Sequence, residues 1–367
     1  MQSILGPTDS TTLATCPAQA DLVWIQALRG MAALMVLFFH MHPHWNLVPM
    51  LSTTSTFTRW GFSGVDIFFT LSGFVVYRSA LHTIPKKGIK PFALKRLRRI
   101  YMGYWPILLL IALTTVWVYE ESLPPLKKMI FSTLLLYPNI WDNWLPPAWS
   151  LTMEIYFYLW IISIAILPLR HQIKVIVLAM LVLAAWGIAW LTIDPQTVFE
   201  GYQPLRYGLT GLGLEFLAGA LVAHAYDRRA LIFRTHKTTI PLCILLILLG
   251  FGVGSLSPFF DRVEIMRAAS FGVVGVATLV IALCLEQTRF SPPTWLVAVG
   301  DASYSLYLLH TFLLDASGRM LTSLGISEPQ SLLFFLLGLP VAIVAISMLW
   351  FRCIERPLLR ADHRTRS

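Results

Sequence analysis

The segment WIQALRGMAALMVLFFHMHPHW, which runs from Trp24 to Trp45, decides the fold. Most of its residues are apolar, and at a helical rise of ~1.5 Å per residue it can cross the ~30 Å hydrocarbon core of a membrane. It also contains Arg29 and His40. A charged side chain inside a bilayer costs roughly 3 kcal/mol and is a functional candidate by default. The segment therefore predicts a transmembrane helix that carries function.

The composition extends this prediction to the whole chain. Of its 367 residues, 56% are hydrophobic and only 13% are charged, whereas a soluble protein has roughly 25% charged residues. Continuous apolar runs of this length predict membrane-spanning helices. The candidate spans lie at 22–41, 61–80, 100–119, 128–141, 149–169, 173–192, 205–226, 238–256, 267–286, 300–316 and 330–351. We therefore predict an all-α, polytopic membrane protein.

The basic residues between these segments predict the topology, because cytoplasmic links are rich in Lys and Arg. The links at 78–99 and 227–237 and the tail from Arg352 are all basic. They all face the cytoplasm only if segment 128–141 does not cross the membrane. That segment is short, and the proline-containing stretch WDNWLPPAW follows it. We predict about ten spans, one re-entrant or interfacial segment, and cytoplasmic N- and C-termini.

We expect three regions along the chain. Residues 1–20 read as a disordered tail without Lys or Arg, which rules out a signal peptide. Residues 21–357 form the membrane domain, and 358–367 form a short basic cytoplasmic tail. The net charge of +9 reports topology rather than nucleic-acid binding. The four cysteines are scattered and match no metal-ligand spacing, so we expect free thiols.

Arg29 and His40 share one face of the first helix, because eleven residues make almost three whole turns. They lie roughly 16 Å apart along the helix axis. This helix runs outward from a cytoplasmic N-terminus. We therefore expect Arg29 near the inner surface and His40 in the outer third of the membrane.

The distance of each polar residue from the end of its span predicts its depth in the membrane. Asp66 and Glu154 are expected in the outer layer with His40. Ser72, Gly73 and His310 are expected near mid-membrane. The inner layer is expected to hold Arg29, Arg96, Arg98, Arg99, Ser303, Tyr304, Glu355 and Arg356.

The residue types in the two layers indicate what each layer can bind or catalyse. Cations near the cytoplasmic surface suit a phosphate-bearing ligand. An imidazole beside a carboxylate is the arrangement that general-base catalysis uses, and the carboxylate here would be Asp66 or Glu154. The shared face of Arg29 and His40 would let one long ligand contact both.

These residues also have structural interpretations. Arg29 could pair with a carboxylate of another helix, and His40 or His310 could be a satisfied core histidine. Asp66 and Glu154 could stabilise helix N-termini, and the arginines at 96–99 could serve only as topology signals.

The stretch HMHPHW, which begins at His40, is not expected to bind a metal. His40, His42 and His44 are splayed around a helix, and Pro43 is expected to break that helix.

Six sequence blocks, in order, carry a resemblance. They are LRGMAALMVLFFH (Arg29 and His40 as Arg-x10-His), GVDIFFTLSGFV (Phe-Phe-x-x-Ser-Gly-Phe at 68–74), KRLRRIYMGYW (Arg-x-x-Arg-Ile at 96–100), WSLTMEIYFYL (Trp-Ser-Leu-x-x-Glu at 149–154), GDASYSLYLLH (Gly-x-x-Ser-Tyr-x-x-Tyr-Leu-x-His at 300–310) and IERP (354–357). From Leu28 to Pro357 the chain resembles the membrane-bound acyltransferase family 3. Bacterial members of that family O-acylate exopolysaccharides, lipopolysaccharide O-antigens, Nod factors and some antibiotics. One departure is Met102, since the family usually has proline shortly after the Arg-Ile pair.

The resemblance implies acyl-CoA, expected to be acetyl-CoA, as a co-substrate from the cytoplasm, with no bound cofactor and no metal. It implies His40 as the catalytic histidine, oriented by Asp66 or Glu154. It implies donor binding by Arg29, Arg96, Arg99, Ser72 and Gly73. Further expected pocket residues are Trp149, Ser150, Ser303, Tyr304 and His310.

The implied acceptor is a hydroxyl of a glycan or glycolipid at or near the extracytoplasmic side of the bacterial inner membrane. Membrane lipids are further expected partners, nucleic acid is not, and the oligomeric state is not predicted. His40 could act as a base or carry the acyl group itself. Two alternatives stay open: a transporter or flippase without acyl chemistry, and the same chemistry with a succinyl or longer acyl donor or a non-glycan acceptor.

Overall fold

The computed structural model describes residues 22–45, 58–137, 143–193, 209–228, 236–256, 264–325 and 329–364. Every regular element within these ranges is helical, which confirms the predicted all-α class. The main helices are α1 (Val23–Trp45), α2 (Gly64–Lys87), α3 (Ile89–Trp117), α4 (Trp149–Ala165), α5 (Leu169–Ile193), α6 (Leu212–Asp227), α7 (His236–Ser255), α8 (Glu264–Leu285), α9 (Thr294–Asp301), α10 (Ser303–Ser323), α11 (Pro329–Trp350) and α12 (Arg356–Arg364).

The chain is a multi-pass helical membrane protein. Among the described residues, 8 helices are long and apolar enough to cross a membrane. The pair α9–α10, bent by 74°, makes up to 9 if it counts as one span. α6 has only 16 residues, and the span predicted at 205–226 begins outside the described residues. The count of ten spans and the sidedness of the termini therefore stay predictions, as does the tail predicted at 1–20.

Segment 128–141 does not form a long helix in its described part. A short helix, Leu126–Lys128, continues as the π-helical turn Met129–Leu134. At ~1.5 Å per residue these turns rise less than half the ~30 Å hydrocarbon core. A 3-10 turn at Pro146–Ala148 then leads into α4. Whether segment 128–141 crosses the membrane stays a prediction, because residues 138–142 lie outside the described residues.

The interpretation of residues 78–99 as a link between spans is wrong. α2 continues to Lys87 and α3 begins at Ile89, so only Gly88 separates the two helices. Gly88 has φ +83°, a conformation that glycine adopts without steric cost. Arg96 and Arg99 therefore lie one turn apart on α3 and share a face. α3 runs unbroken through position 102, so the residue that replaces the family's proline leaves the helix intact.

The expectation that Pro43 breaks the first helix is also wrong, since α1 continues to Trp45. α1 ends two residues after Pro43, so most of the helix lies before the proline.

α2 lies at the centre of the bundle and packs closely on α6. A Cβ atom on Gly73 would lie 1.8 Å from the carbonyl oxygen of Phe216, and one on Gly219 would lie 2.0 Å from that of Thr70. Helix backbones approach this closely in membranes where small residues line the contact. α5, α7 and α11, in contrast, expose much of their apolar surface, as lipid-facing helices do.

Candidate functional site

Small residues set the register between α1 and the start of α2. A Cβ atom on Gly61 would lie 2.1 Å from the carbonyl oxygen of Met35, and one on Gly64 would lie 2.4 Å from that of Ala32. The two helices therefore run in opposite directions at very short range, and neither can slide past the other.

This register corrects the predicted depth of Asp66. Two residues inward of Gly64, Asp66 lies level with about Gly30 on the antiparallel α1. His40 lies beyond the first residues of α2. Asp66 and His40 are therefore not in one layer, because close contacts between backbones, rather than equal counts from the helix ends, fix the relative heights.

α10 runs parallel to α1. Just before the bend, a Cβ on Gly300 would lie 1.9 Å from the carbonyl oxygen of Gln26. Further out, His310 contacts His40. Tyr307, three residues before His310, lies about 4.5 Å further inward along the helix.

His40 and His310 form a side-chain pair. The ring centroids lie 4.7 Å apart, and Nε2 of His310 is 3.2 Å from Nδ1 of His40. The His310 ring is buried and the His40 ring is half-buried. The structure thus joins two residues that the sequence places at different depths.

Backbone carbonyls determine where the protons of this pair lie. Nδ1 of His310 is 2.7 Å from the oxygen of Tyr307, and Nδ1 of His40 is 2.9 Å from the oxygen of Val36. Because a carbonyl only accepts, each Nδ1 carries a hydrogen in the neutral ring. His310 Nε2 then accepts from His40 Nδ1–H, which leaves the lone pair on His40 Nε2. A general base needs this tautomer.

A cavity of about 140 Å³ lies inward of the histidine pair, among α1, α2, α3, α4 and α10. The charged groups that line it belong to Arg29, Arg96, Arg99 and Glu154. The hydroxyl groups that line it belong to Ser72, Ser150, Tyr158, Ser303, Tyr304 and Tyr307. The cavity thus gathers eight of the predicted site residues: Arg29, Ser72, Arg96, Arg99, Ser150, Glu154, Ser303 and Tyr304.

The arginines of this cavity are available to an anion. Arg29 donates to Oε1 of Gln26 at 3.4 Å and forms no direct ion pair within the described residues. The Nε of Arg96 is buried, with no hydrogen-bond partner among the described residues. The structural interpretation of Arg29 as half of an ion pair is therefore not what the described residues show. Guanidinium groups without a matched carboxylate are suitable donors for phosphate oxygens.

Glu154 belongs to the arginine-lined cavity and not to the histidine pair. Its Oε1 accepts from Ser72 Oγ at 2.8 Å and from the Tyr158 hydroxyl at 2.7 Å. Tyr158 and Arg96 line the same cavity and lie close together. The prediction that Glu154 shares a layer with His40 is wrong, because the packing of α4 on α2 places its carboxylate at the level of Ser72.

Asp66 forms a buried ion pair. Nε and Nη2 of Arg267 donate to its two carboxylate oxygens at 2.7 and 2.8 Å, and Asp66 is 0% exposed. The carboxyl of Glu215 lies beside the pair. Asp66 thus connects α2 to α8, and the expectation that it orients His40 is wrong.

Two other predicted residues lie outside the cavity lining. Gly73 sits at the crossing of α2 and α6, where its missing side chain lets the backbones meet. Trp149 packs against Phe69, with ring centroids 6.1 Å apart. Both residues shape the bundle around the cavity instead of facing a ligand.

The late sequence block shapes the inner end of the cavity. The Tyr304 hydroxyl donates to the carbonyl of Ile100 at 2.7 Å, and its ring fills the space left by Gly103. Ser303 is buried at the N-terminus of α10, and its Oγ has no hydrogen-bond partner in the part of the chain that the structure describes. Glu355 is hydrogen-bonded to Ser305, and its charge acts on Arg29 and Arg99.

Tyr307 joins the two parts of the site and was missed as a site residue. Its side chain lines the cavity, its carbonyl accepts from His310, and its ring lies 5.9 Å from the His310 ring. The i, i+3 spacing of Tyr307 and His310 already predicts a shared helix face. The spacing of Glu154 and Tyr158 signals the second missed residue in the same way.

Arg267 was missed as well. An arginine at the start of an apolar span indicates a functional or paired residue, but the sequence does not identify its partner.

Among the described side chains, no group of three or more His, Cys, Asp or Glu is arranged to hold a metal ion.

Residues 22–351 match a family model described as an acyltransferase domain. The chain is 24% identical to peptidoglycan O-acetyltransferase OatA of Listeria monocytogenes, over 91% of this chain and 55% of the relative. It is 26% identical to the exopolysaccharide production protein ExoZ of Rhizobium meliloti, over 83% of this chain and 92% of the relative.

A third relative is the putative peptidoglycan O-acetyltransferase YrhL of Bacillus subtilis, 24% identical over 93% of this chain and 55% of the relative. The chain therefore spans about half the length of the two peptidoglycan O-acetyltransferases. No solved structure matches the chain.

Proposed function

Because the chain belongs to the family of membrane proteins that carry this acyltransferase domain, we propose that it transfers an acetyl group from acetyl-CoA to a hydroxyl of a glycan or glycolipid. The donor arrives from the cytoplasmic side of the bacterial inner membrane. The acceptor hydroxyl is reached at or near the extracytoplasmic side. The relatives include O-acetyltransferases of peptidoglycan and an exopolysaccharide production protein. Their names support acetyl as the transferred group and a glycan as the acceptor.

One observation carries the proposal. The arginine-lined cavity ends at Tyr307, one helical turn inward of the His40–His310 pair. Cations at one end and a base at the other suit a long, thin donor that has phosphates at one end and a thioester at the other. Arg29 and His40, roughly 16 Å apart on one helix face, mark the two ends.

Ser303 supports the placement of the phosphates. It begins α10, a helix of 21 residues, and the N-terminus of a helix attracts anions. Its buried Oγ lines the same cavity as Arg29 and Arg96 and has no partner within the described residues. A phosphate oxygen would give both the Ser303 hydroxyl and the Arg96 Nε the hydrogen bond that they lack.

The reaction follows from the tautomer of His40. Its Nε2 takes the proton of the acceptor hydroxyl, and the acceptor oxygen attacks the carbonyl carbon of the thioester. The new C–O bond forms, the C–S bond breaks, and the leaving thiolate takes the proton from Nε2. If His40 carries the acyl group instead, Nε2 attacks the carbonyl carbon, the C–S bond breaks and the thiolate of CoA is released. The acceptor hydroxyl then attacks the acyl-imidazole, the C–N bond breaks, and the hydroxyl proton goes to the thiolate.

A reconstituted assay tests this function. Purified protein in liposomes receives acetyl-CoA and a lipid-linked glycan acceptor, and the free thiol of CoA and the acetylated glycan are both measured. We expect one acetyl group on the acceptor for each thiol released. Movement of the acceptor across the bilayer without thiol release would overturn the proposal in favour of a transporter.

A comparison of cells with and without the protein identifies the acceptor. The masses of their surface glycans should differ by the acetyl units that the protein adds. Glycans of identical mass from both strains would contradict a glycan acceptor.

A further inference from the structure

Acyl transfer needs a hydrogen-bond donor that no residue discussed so far supplies. As the nucleophile attacks the thioester, the carbonyl π electrons move onto oxygen and an oxyanion forms. A donor placed at that oxygen commonly contributes 10²–10³ in kcat, at roughly 3–4 kcal/mol. The arginines lie at the inner end of the cavity, and the histidine pair serves the nucleophile.

The hydroxyl groups that line the cavity can be sorted by where each one donates. Four of the six donate to fixed acceptors of the protein: Ser72 and Tyr158 to Glu154, Ser150 to the carbonyl of Pro147, and Tyr304 to the carbonyl of Ile100. Ser303 and Tyr307 remain.

Ser303 and Tyr307 differ in their positions along α10. Ser303 lies seven residues before His310 on α10, about 10 Å further inward, among the arginines. Tyr307 lies only about 4.5 Å inward of His310 and touches that ring. Its hydroxyl lies near Ser150, whose own hydrogen already goes to the carbonyl of Pro147 at 3.0 Å. Ser150 thus offers the Tyr307 hydroxyl only a neutral oxygen, which is a weaker acceptor than an oxyanion.

We propose that Tyr307 is a further catalytic residue, whose hydroxyl donates to the carbonyl oxygen of the thioester and stabilises the oxyanion. This inference rests on the proposed acetyl-CoA chemistry. The acceptor oxygen, or His40 Nε2, bonds to the carbonyl carbon while the phenolic O–H binds the oxygen. When the C–S bond breaks, the electrons return to the carbonyl and the phenol keeps its proton.

The test is Tyr307→Phe, assayed for acetyl transfer and for binding of a non-reactive thioether analogue of acetyl-CoA. We expect kcat to fall roughly 100-fold, with the KM for donor and the affinity for the analogue within about twofold of wild type. Tyr101→Phe is the matched control, because it also removes a single tyrosine hydroxyl, one that lies outside the cavity and donates to the carbonyl of Leu135. A kcat for Tyr307→Phe within threefold of the control overturns the inference.

A fluorinated tyrosine at position 307 keeps the proposal testable if the phenylalanine variant does not fold. It preserves the ring and the hydroxyl but loses its proton at lower pH. We expect this enzyme to lose kcat at alkaline pH where wild type stays active; a profile that matches wild type overturns the inference. If wild type itself releases no thiol from acetyl-CoA, the proposed function fails rather than the role of Tyr307.

Discussion

Nε2 of His310 lies 3.2 Å from Nδ1 of His40, so the candidate base is oriented by a second imidazole and a backbone carbonyl instead of a carboxylate. A neutral imidazole accepts the Nδ1–H hydrogen bond and selects the tautomer. It supplies no negative charge, so the two rings do not form the strong ion pair of a His–Asp arrangement.

His310→Ala should lower kcat roughly 10- to 100-fold with little change in donor KM. When His40 takes a proton, its bond to His310 becomes charge-assisted and is worth about 1.5–3 kcal/mol. His310→Gln, which keeps an accepting oxygen, should recover part of that loss. Initial rates at several donor concentrations measure both, and an alanine variant with wild-type kcat would rule out the orienting role.

Asp66→Asn should damage stability more than catalysis. Removal of the Asp66 charge leaves the buried Arg267 without its bidentate partner, a loss of up to about 3–5 kcal/mol. The neighbouring carboxyl of Glu215 offsets part of this loss. The fraction that folds should keep kcat within a few-fold, since Asp66 does not touch His40. Asp227→Asn is the control, because its pair with Arg78 is partly exposed and worth about 1 kcal/mol or less. Denaturation in detergent measures the difference, and equal stability of the two variants would contradict the structural role.

Glu154→Gln should increase the thermal stabilisation that the protein gains when it binds CoA. The change removes the carboxylate that lines the cavity together with the arginines but keeps an oxygen for Ser72 and Tyr158. CoA phosphates would then supply the missing negative charge. An extra stabilisation of about 1 kcal/mol would raise the thermal shift produced by CoA by roughly 2–4 °C.

Glu121→Gln, which removes an exposed carboxylate paired with Arg319, should show the wild-type thermal shift with CoA. A shift for Glu154→Gln no larger than for this control would show that Glu154 does not balance the donor-binding charge.

Gly73→Ala should sharply reduce the yield of folded protein. Its Cβ would lie 1.8 Å from the carbonyl oxygen of Phe216, a fixed backbone atom, so α2 and α6 would have to separate. Gly318→Ala is the matched control, with nothing within 4 Å of the added atom. Size-exclusion profiles of both variants measure the effect. A well-folded Gly73→Ala protein with normal kcat would show that the helix crossing tolerates the displacement.

The sequence predicted the helical membrane fold and most of the charged and hydroxyl-bearing residues of the cavity, because apolar length and charge act locally and can be read residue by residue. It failed for the partners of His40, Asp66 and Glu154. Their heights depend on how helices slide against one another, and the contacts of Gly61 and Gly64 with α1 fix that register. Such contacts between distant segments leave no periodic signal along the chain.

The helix end at Gly88 is a second such case. The basic residues around it signalled a cytoplasmic link, and charge alone did not show that both helices continue into it. Arg96 and Arg99 therefore face the cavity from a helix, where the sequence placed them in a link.

The central claim is that one helix binds the donor at Arg29 and acts on it at His40. The most direct measurement compares CoA affinity and single-turnover acetyl transfer in Arg29→Ala and His40→Ala. The account predicts that Arg29→Ala weakens CoA binding at least tenfold, whereas His40→Ala binds CoA like wild type and transfers no acetyl group. Transfer by His40→Ala at the wild-type rate, or unchanged CoA affinity in Arg29→Ala, would contradict it.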